Sequence, residues 1–160
     1  NVFNLFNQIA SGHFLMIGRG VNRKSMAYVE NVAAFIEECT FAKEKNVLYN
    51  YVDKPDFDMN TLVQKVLKNL KGKDNIGVRL PYWLALLLGH AADIFSKFTG
   101  KNLPISSIRV KKFCASSSFS SVKPHLSNFR PPYSLDEGIK RTLKSEFISP
   151  DPNREIFFSE

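Results

Sequence analysis

Acidic residues are missing from one long interval: none occurs between Ile94 and Tyr133. That interval carries Lys97, Lys101, Arg109, Lys111, Lys112, Lys123 and Arg130. These seven are the whole excess of 22 Lys and Arg over 15 Asp and Glu, a net charge of +7. A local unpaired positive field selects anionic ligands without saying which anion. Cysteine is scarce, with only Cys39 and Cys114, so a disulfide framework is excluded. The opening Asn1-Val2-Phe3-Asn4-Leu5-Phe6 has no basic leader and no small-residue cleavage site, so we expect no signal peptide. With that, a reducing cytoplasmic location is the expectation, and a start at Asn1 reads as part of a longer protein. Long apolar runs are also lacking. The uninterrupted stretch Trp83–Leu88 is far short of the ~20 residues that span a bilayer, and no membrane partner is expected. His13, His90 and His125 are scattered without ligand spacing, so no metal site is expected.

What the sequence has is apolar mass: 44% hydrophobic residues and 14 phenylalanines in 160 residues. That suits one folded domain over residues 1–160 rather than a disordered tail. Val2, Leu5, Phe6 and Ile9 sit at helical spacing before a stop at Gly12. Phe14–Ile17 reads as a strand ending in the turn Gly18-Arg19-Gly20, and Ser25–Val29 as a second strand. A helix follows over Val32–Thr40, then a β-branched and aromatic strand over Val47–Val52 that Lys54-Pro55 breaks. Asp58 is placed to cap a helix carrying Leu62, Val63, Val66, Leu67 and Leu70. Leu80–Phe98 is the most hydrophobic segment. We read it as a buried or dimer-facing helix in preference to a membrane-surface one. Ser106–Phe113 forms a basic helix, Ser116–Ser121 a loop or edge strand, and Ser134–Phe147 a last helix with Ser134 and Glu137 in capping-box spacing.

Two phosphate-binding motifs are tempting and fail. Gly18-Arg19-Gly20-Val21-Asn22-Arg23-Lys24-Ser25 has arginine where a P-loop needs glycine before its Lys-Ser pair. A dinucleotide fingerprint needs a third glycine and a helix, and here a strand is expected to follow. The turn with Arg19, Arg23 and Lys24 still offers cations to a phosphate, with a solvated hairpin as the plain alternative. Cys114 lies among basic residues, which lowers a thiol pKa. With no histidine nearby in sequence, we read it as a small apolar residue. Asp56 and Asp58 suit loop and capping roles, and no catalytic constellation is evident.

Four stretches in order resemble the C-terminal half of extended short-chain dehydrogenases, in particular nucleoside-diphosphate-sugar epimerases. They are Gly18-Arg19-Gly20 with Lys24–Ala33, Leu48-Tyr49-Asn50-Tyr51-Val52-Asp53, Ile105–Phe113, and Phe129-Arg130-Pro131-Pro132-Tyr133-Ser134-Leu135-Asp136-Glu137-Gly138-Ile139. The resemblance implies an α+β fold, several helices around a small mixed or parallel sheet. In it a substrate-binding domain caps a Rossmann half that this chain lacks. It implies NAD or NADP as the cofactor of the parent enzyme, with none bound by this chain alone. The implied substrate is a UDP- or dTDP-linked sugar, whose carbon is oxidised by hydride transfer before epimerisation, dehydration or reduction. It also implies site roles: Arg109 for the diphosphate, Lys24 for phosphate or ribose, Met26 lining the base or ribose pocket, and Lys112 as a further cation. Departures are Lys24 for arginine, Met26 for an aromatic and Asn31 for aspartate. The family's Gly-x-x-Gly-x-x-Gly is not present, and none of Tyr28, Tyr49, Tyr51, Tyr82 and Tyr133 has lysine four residues on. The chain alone is therefore expected to be catalytically silent.

Two other readings compete. A basic nucleic-acid module would stack bases on Phe113, Phe119 and Phe129, although no such motif is present and no nucleic-acid partner is expected. An interaction domain would dimerise through Leu80–Leu88. An apolar face left open where a Rossmann half would sit is expected to drive self-association.

Overall fold

Three amphipathic helices build the core, and each starts or stops where its sequence directs. The computed structural model describes residues 2–41, 46, 48–101, 103, 105–121 and 129–152. Helix α1, Val2–Ala10, buries Phe6 and Ile9. Helix α3, Met59–Lys71, begins where the Asp58 carboxylate accepts the Thr61 N–H at 2.8 Å, and buries Met59, Leu62, Val63 and Val66. Helix α6, Leu135–Leu143, begins at Ser134, whose hydroxyl accepts the Glu137 N–H, and continues as a π-helical turn over Lys144–Ile148. Its Leu135, Ile139 and Leu143 complete a cluster with Met16 and Phe57. Fully burying a side chain of this size stabilises by about 1.5–3 kcal/mol, so these helices set the frame.

The sheet is smaller than expected and divided. Strand β1, Met16–Ile17, pairs in parallel with β4, Arg79–Leu80, and β2, Arg23–Met26, pairs antiparallel with β3, Asp53–Asp58. Ser117 bridges to Lys24 on the other side of β2, exchanging backbone hydrogen bonds with Arg23 and Ser25. Two expected strands shift. The second spans Arg23–Met26 rather than 25–29, because Tyr28 is already the extended cap of helix α2, Val29–Thr40. The third lies at Asp53–Asp58 and runs through Lys54-Pro55, whereas residues 49–52 are irregular and Val47 lies outside the described residues. A bulge admits the proline: Met26 opposes Asp53 and Lys24 opposes Phe57, so Ser25 alone faces Lys54, Pro55 and Asp56. The aromatics of 49–52 pack instead on Phe35, with Tyr51 stacked at 4.7 Å.

Asp56 ties this bulge together. It is buried, and it accepts hydrogen bonds from Ser25, Lys54 and Ser118. Burial works against its charge, but the bonds from Ser118, Lys54 and Ser25 outweigh it and hold the carboxyl below the usual range. The folded state thus binds this proton less tightly than the unfolded chain. Its contribution is present above the ordinary carboxylate pKa of about 4 and is lost as pH falls through the folded value. Thermal unfolding followed by circular dichroism should show a midpoint that falls between about pH 5 and pH 3, with a shallower slope in Asp56→Asn.

Helix α4, Tyr82–Thr99, which its composition suggested is buried or dimer-facing, is not buried within this chain. It buries Ala85 and Gly89, while Trp83 is 67% and Phe98 86% exposed. Its packed side meets α5, Ser107–Cys114, so closely that a Cβ on Gly89 would lie 2.8 Å from the Ser107 backbone. Asp93 of α4 accepts the Ser107 N–H at 3.2 Å, and the Ser106 hydroxyl accepts that of Arg109, so α5 is capped twice. The Ser107 hydrogen bonds hold the Asp93 carboxyl below its usual range.

Candidate functional site

The parallel β1–β4 pairing brings two arginines together from distant parts of the chain. The ladder continues past β1 with the Gly18 N–H donating to Leu80 at 2.8 Å, and the chain then turns through Gly18 and Gly20, both with φ near +70°. Side chains hold this turn from two sides. Asn60 donates to the Arg19 carbonyl at 3.0 Å, and Asn22 donates to the Phe113 carbonyl at 2.8 Å. Gly20 has no room for more, since a Cβ there would meet the Asn60 side chain at 2.3 Å.

Between this turn, the start of α4 and the flank of α5 lies a groove of about 730 Å³. Its cations are Arg19 from the turn, Arg79 from β4 and Lys111 from α5, and no carboxylate lies among its lining residues. Arg79 donates to the Arg19 carbonyl at 3.2 Å, which steadies both segments. Helix α4 starts in the groove wall, where Pro81 supplies no side-chain cap to its first-turn amides. The positive end of that helix therefore adds to the field of the three cations. Ile17, Val21, Leu80 and Tyr82 make the remaining walls apolar. The arrangement suits an anion attached to an apolar or aromatic group.

The residues picked from sequence are placed differently. Lys24 donates to the carbonyls of Lys112 at 3.0 Å and Ala115 at 2.6 Å, clamping the end of α5. Burial pulls its pKa below the usual lysine value, with the Cys114 thiol opposing. Met26 packs on the core cluster and lines a separate hollow with Phe6, Tyr28 and Ile139. Arg109 and Lys112 are exposed on α5. At 100° per residue they fall on different sides of that helix from Lys111 and Cys114. Lys24 and Lys112 thus meet through a backbone carbonyl, while Met26 stands apart. Cys114 lines the groove, and burial pushes its thiol above the usual pKa despite Lys24.

The other readings find less in the geometry. Phe113 packs against Phe14 at 6.3 Å and Phe129 against Phe35 at 5.3 Å, which leaves Phe119 of the three proposed stacking rings exposed. Among the described residues no group of three or more His, Cys, Asp or Glu could hold a metal ion. His125 lies outside those residues.

Comparison with known proteins adds one relationship. The chain is similar to the N-acetyl-alpha-D-glucosaminyl-diphospho-ditrans,octacis-undecaprenol 4-epimerase of Escherichia coli O157:H7. The two are 48% identical over 165 aligned residues, which cover 100% of this chain and 48% of that protein. The chain therefore spans about half the length of the curated relative it matches. No family model matches the chain, and no solved structure matches it.

Proposed function

We propose that this chain is the substrate-holding part of an NAD- or NADP-dependent epimerase of diphosphate-linked sugars, and that the groove receives the diphosphate. The observation that carries the proposal is the convergence of Arg19, Arg79 and Lys111, from three separate segments, on one groove lined without a carboxylate. The similarity to an epimerase whose name specifies an N-acetylglucosaminyl diphosphate supports the same ligand chemistry. Sequence resemblance pointed to a nucleotide beyond the diphosphate, whereas the name of the relative places a polyprenol there. The diphosphate is common to both.

The Gly18–Gly20 turn does not have the form of a nicotinamide-dinucleotide site. The glycine turn runs into β2 and not into a helix whose N-terminus could hold a pyrophosphate. In this reading the work of this chain is to bind and orient. Arg19 and Arg79 offer planar, bidentate donors to phosphate oxygens, and Lys111 a mobile point charge. Lys24 positions Lys111 by holding the end of α5. Arg109 and Lys112 lie outside the groove lining, and Met26 packs on the core away from it.

Calorimetric titration with UDP-N-acetylglucosamine, and with N-acetylglucosaminyl diphosphate carrying a short prenyl chain, tests this. A hydrogen bond to a charged group contributes about 1.5–3 kcal/mol, so Arg19→Ala or Arg79→Ala should each weaken the preferred ligand by roughly 10- to 100-fold. Arg109→Ala should weaken it by much less. Unchanged affinity in both groove variants, or a larger loss in Arg109→Ala, overturns the assignment.

A further inference from the structure

We propose that the exposed face of the α4–α5 hairpin seats on the surface of an anionic lipid bilayer. Trp83, Leu87, Ala91, Ile94 and Phe98 follow one another at spacings of four, four, three and four along α4, which puts them on one stripe. All five are exposed, as are Phe95 on the same helix and Ile108 on α5. Among the described residues no helix is long and apolar enough to cross a membrane, so the stripe lies along a surface.

The charges around it say what kind of surface. Lys97 and Lys101 stand at the far end of α4, and Arg109 and Lys112 lie exposed on α5. The one carboxylate of α4, Asp93, is turned inward to cap Ser107. A helix with aromatic and aliphatic residues on one side and Lys and Arg at its margins lies in the headgroup region, its apolar side among the upper acyl chains. A second copy of this chain would meet the same cations with cations, whereas anionic headgroups complement them. The stripe also starts at the mouth of the groove, where Tyr82 lines the groove and Trp83 is the next residue. A ligand whose diphosphate is anchored to a lipid would present its headgroup at that height. The inference rests on the exposed face and not on the groove ligand, so the two readings fail separately.

Trp83 is the only tryptophan of the chain and reports directly. Its emission should shift to the blue when the full chain meets vesicles of phosphatidylethanolamine and phosphatidylglycerol, and lipids brominated high on the acyl chains should quench it. Vesicles of phosphatidylcholine alone should give a much weaker effect. Leu87→Glu with Phe98→Glu, both exposed positions, should abolish the shift with the circular dichroism spectrum unchanged. Lys97→Gln and Lys101→Gln should each lower vesicle affinity about fivefold, and Arg19→Ala should leave it intact. Three results overturn the proposal. One is no shift with vesicles. The second is a blue shift that grows with protein concentration without lipid, alongside a dimer in sedimentation. The third is vesicle binding that high salt removes and in which Trp83 emission never moves.

Discussion

Asp53→Ala is expected to remove about 4 kcal/mol of unfolding free energy, a large share of the roughly 5–15 kcal/mol that holds most domains folded. Asp53 is 3% exposed and accepts three hydrogen bonds from three places. These are the Tyr28 N–H at 2.7 Å, the Asn31 side-chain amide at 3.0 Å and the Tyr51 hydroxyl at 2.5 Å. Alanine leaves three inward donors without an acceptor, each at a cost of about 1–3 kcal/mol. The damage spreads through Asn31, which is fully buried and bonded to both the N–H and the carbonyl of Tyr133. The end of β2, the start of β3 and the approach to α6 therefore come loose together.

Urea unfolding followed by circular dichroism measures this, and Asp53→Asn refines it. The amide keeps the shape and one acceptor, but turns a donor toward groups that also donate. About half the loss is expected. A loss under 1 kcal/mol in Asp53→Ala would mean the hub is dispensable. The tyrosines around it carry the same signature. Burial and the Glu30 carboxylate push the Tyr28 hydroxyl up to about 12, and burial and Asp53 raise that of Tyr51.

The helices were legible in the sequence because their signals are local. Asp58 and Ser134 cap where the capping pattern placed them, and the apolar spacing of α3 named Leu62, Val63 and Val66 of its four buried residues. The strands were not legible, because nothing local makes them strands. Val47–Val52 has β-forming residues, yet Tyr51 is drawn onto Phe35 and the ladder forms one step later, through a proline that a bulge accommodates. A two-residue ladder such as β1–β4 has no periodicity to detect. Its partners are more than sixty residues apart in the chain.

That is also why the site was only partly visible. Of the groove's cations, the acid-free basic stretch contains Lys111 of α5 and the glycine turn contains Arg19. Which lysine of α5 faces the groove depends on where α5 packs, and Arg79 joins only through β4. Lys24, picked out by the glycine-turn stretch, donates to two carbonyls at the end of α5. The apolar character of α4 was plain from composition, but a count of apolar residues does not say which face finds a partner.

The crossing of α4 over α5 links fold to site, and Gly89→Val is expected to break it. In an open helix the change would be mildly favourable, by a few tenths of a kcal/mol, since glycine is the poorer helix former. Here a Cβ would lie 2.8 Å from both the nitrogen and the Cα of Ser107, backbone atoms that no rotamer change can move. Overpacking of this kind costs about 1–3 kcal/mol, which reverses the sign. Because Ser107 opens α5, relief of the clash displaces the helix that carries Lys111 and Cys114 into the groove. Gly89→Val should therefore lose about 2 kcal/mol of stability. It should also bind the diphosphate ligand roughly tenfold less tightly, as if one charged hydrogen bond were lost. Ala91→Val, on the exposed side of the same helix, should leave both quantities nearly unchanged. If Gly89→Val unfolds more easily but binds as before, α5 does not set the groove, and the three-cation site loses its third member.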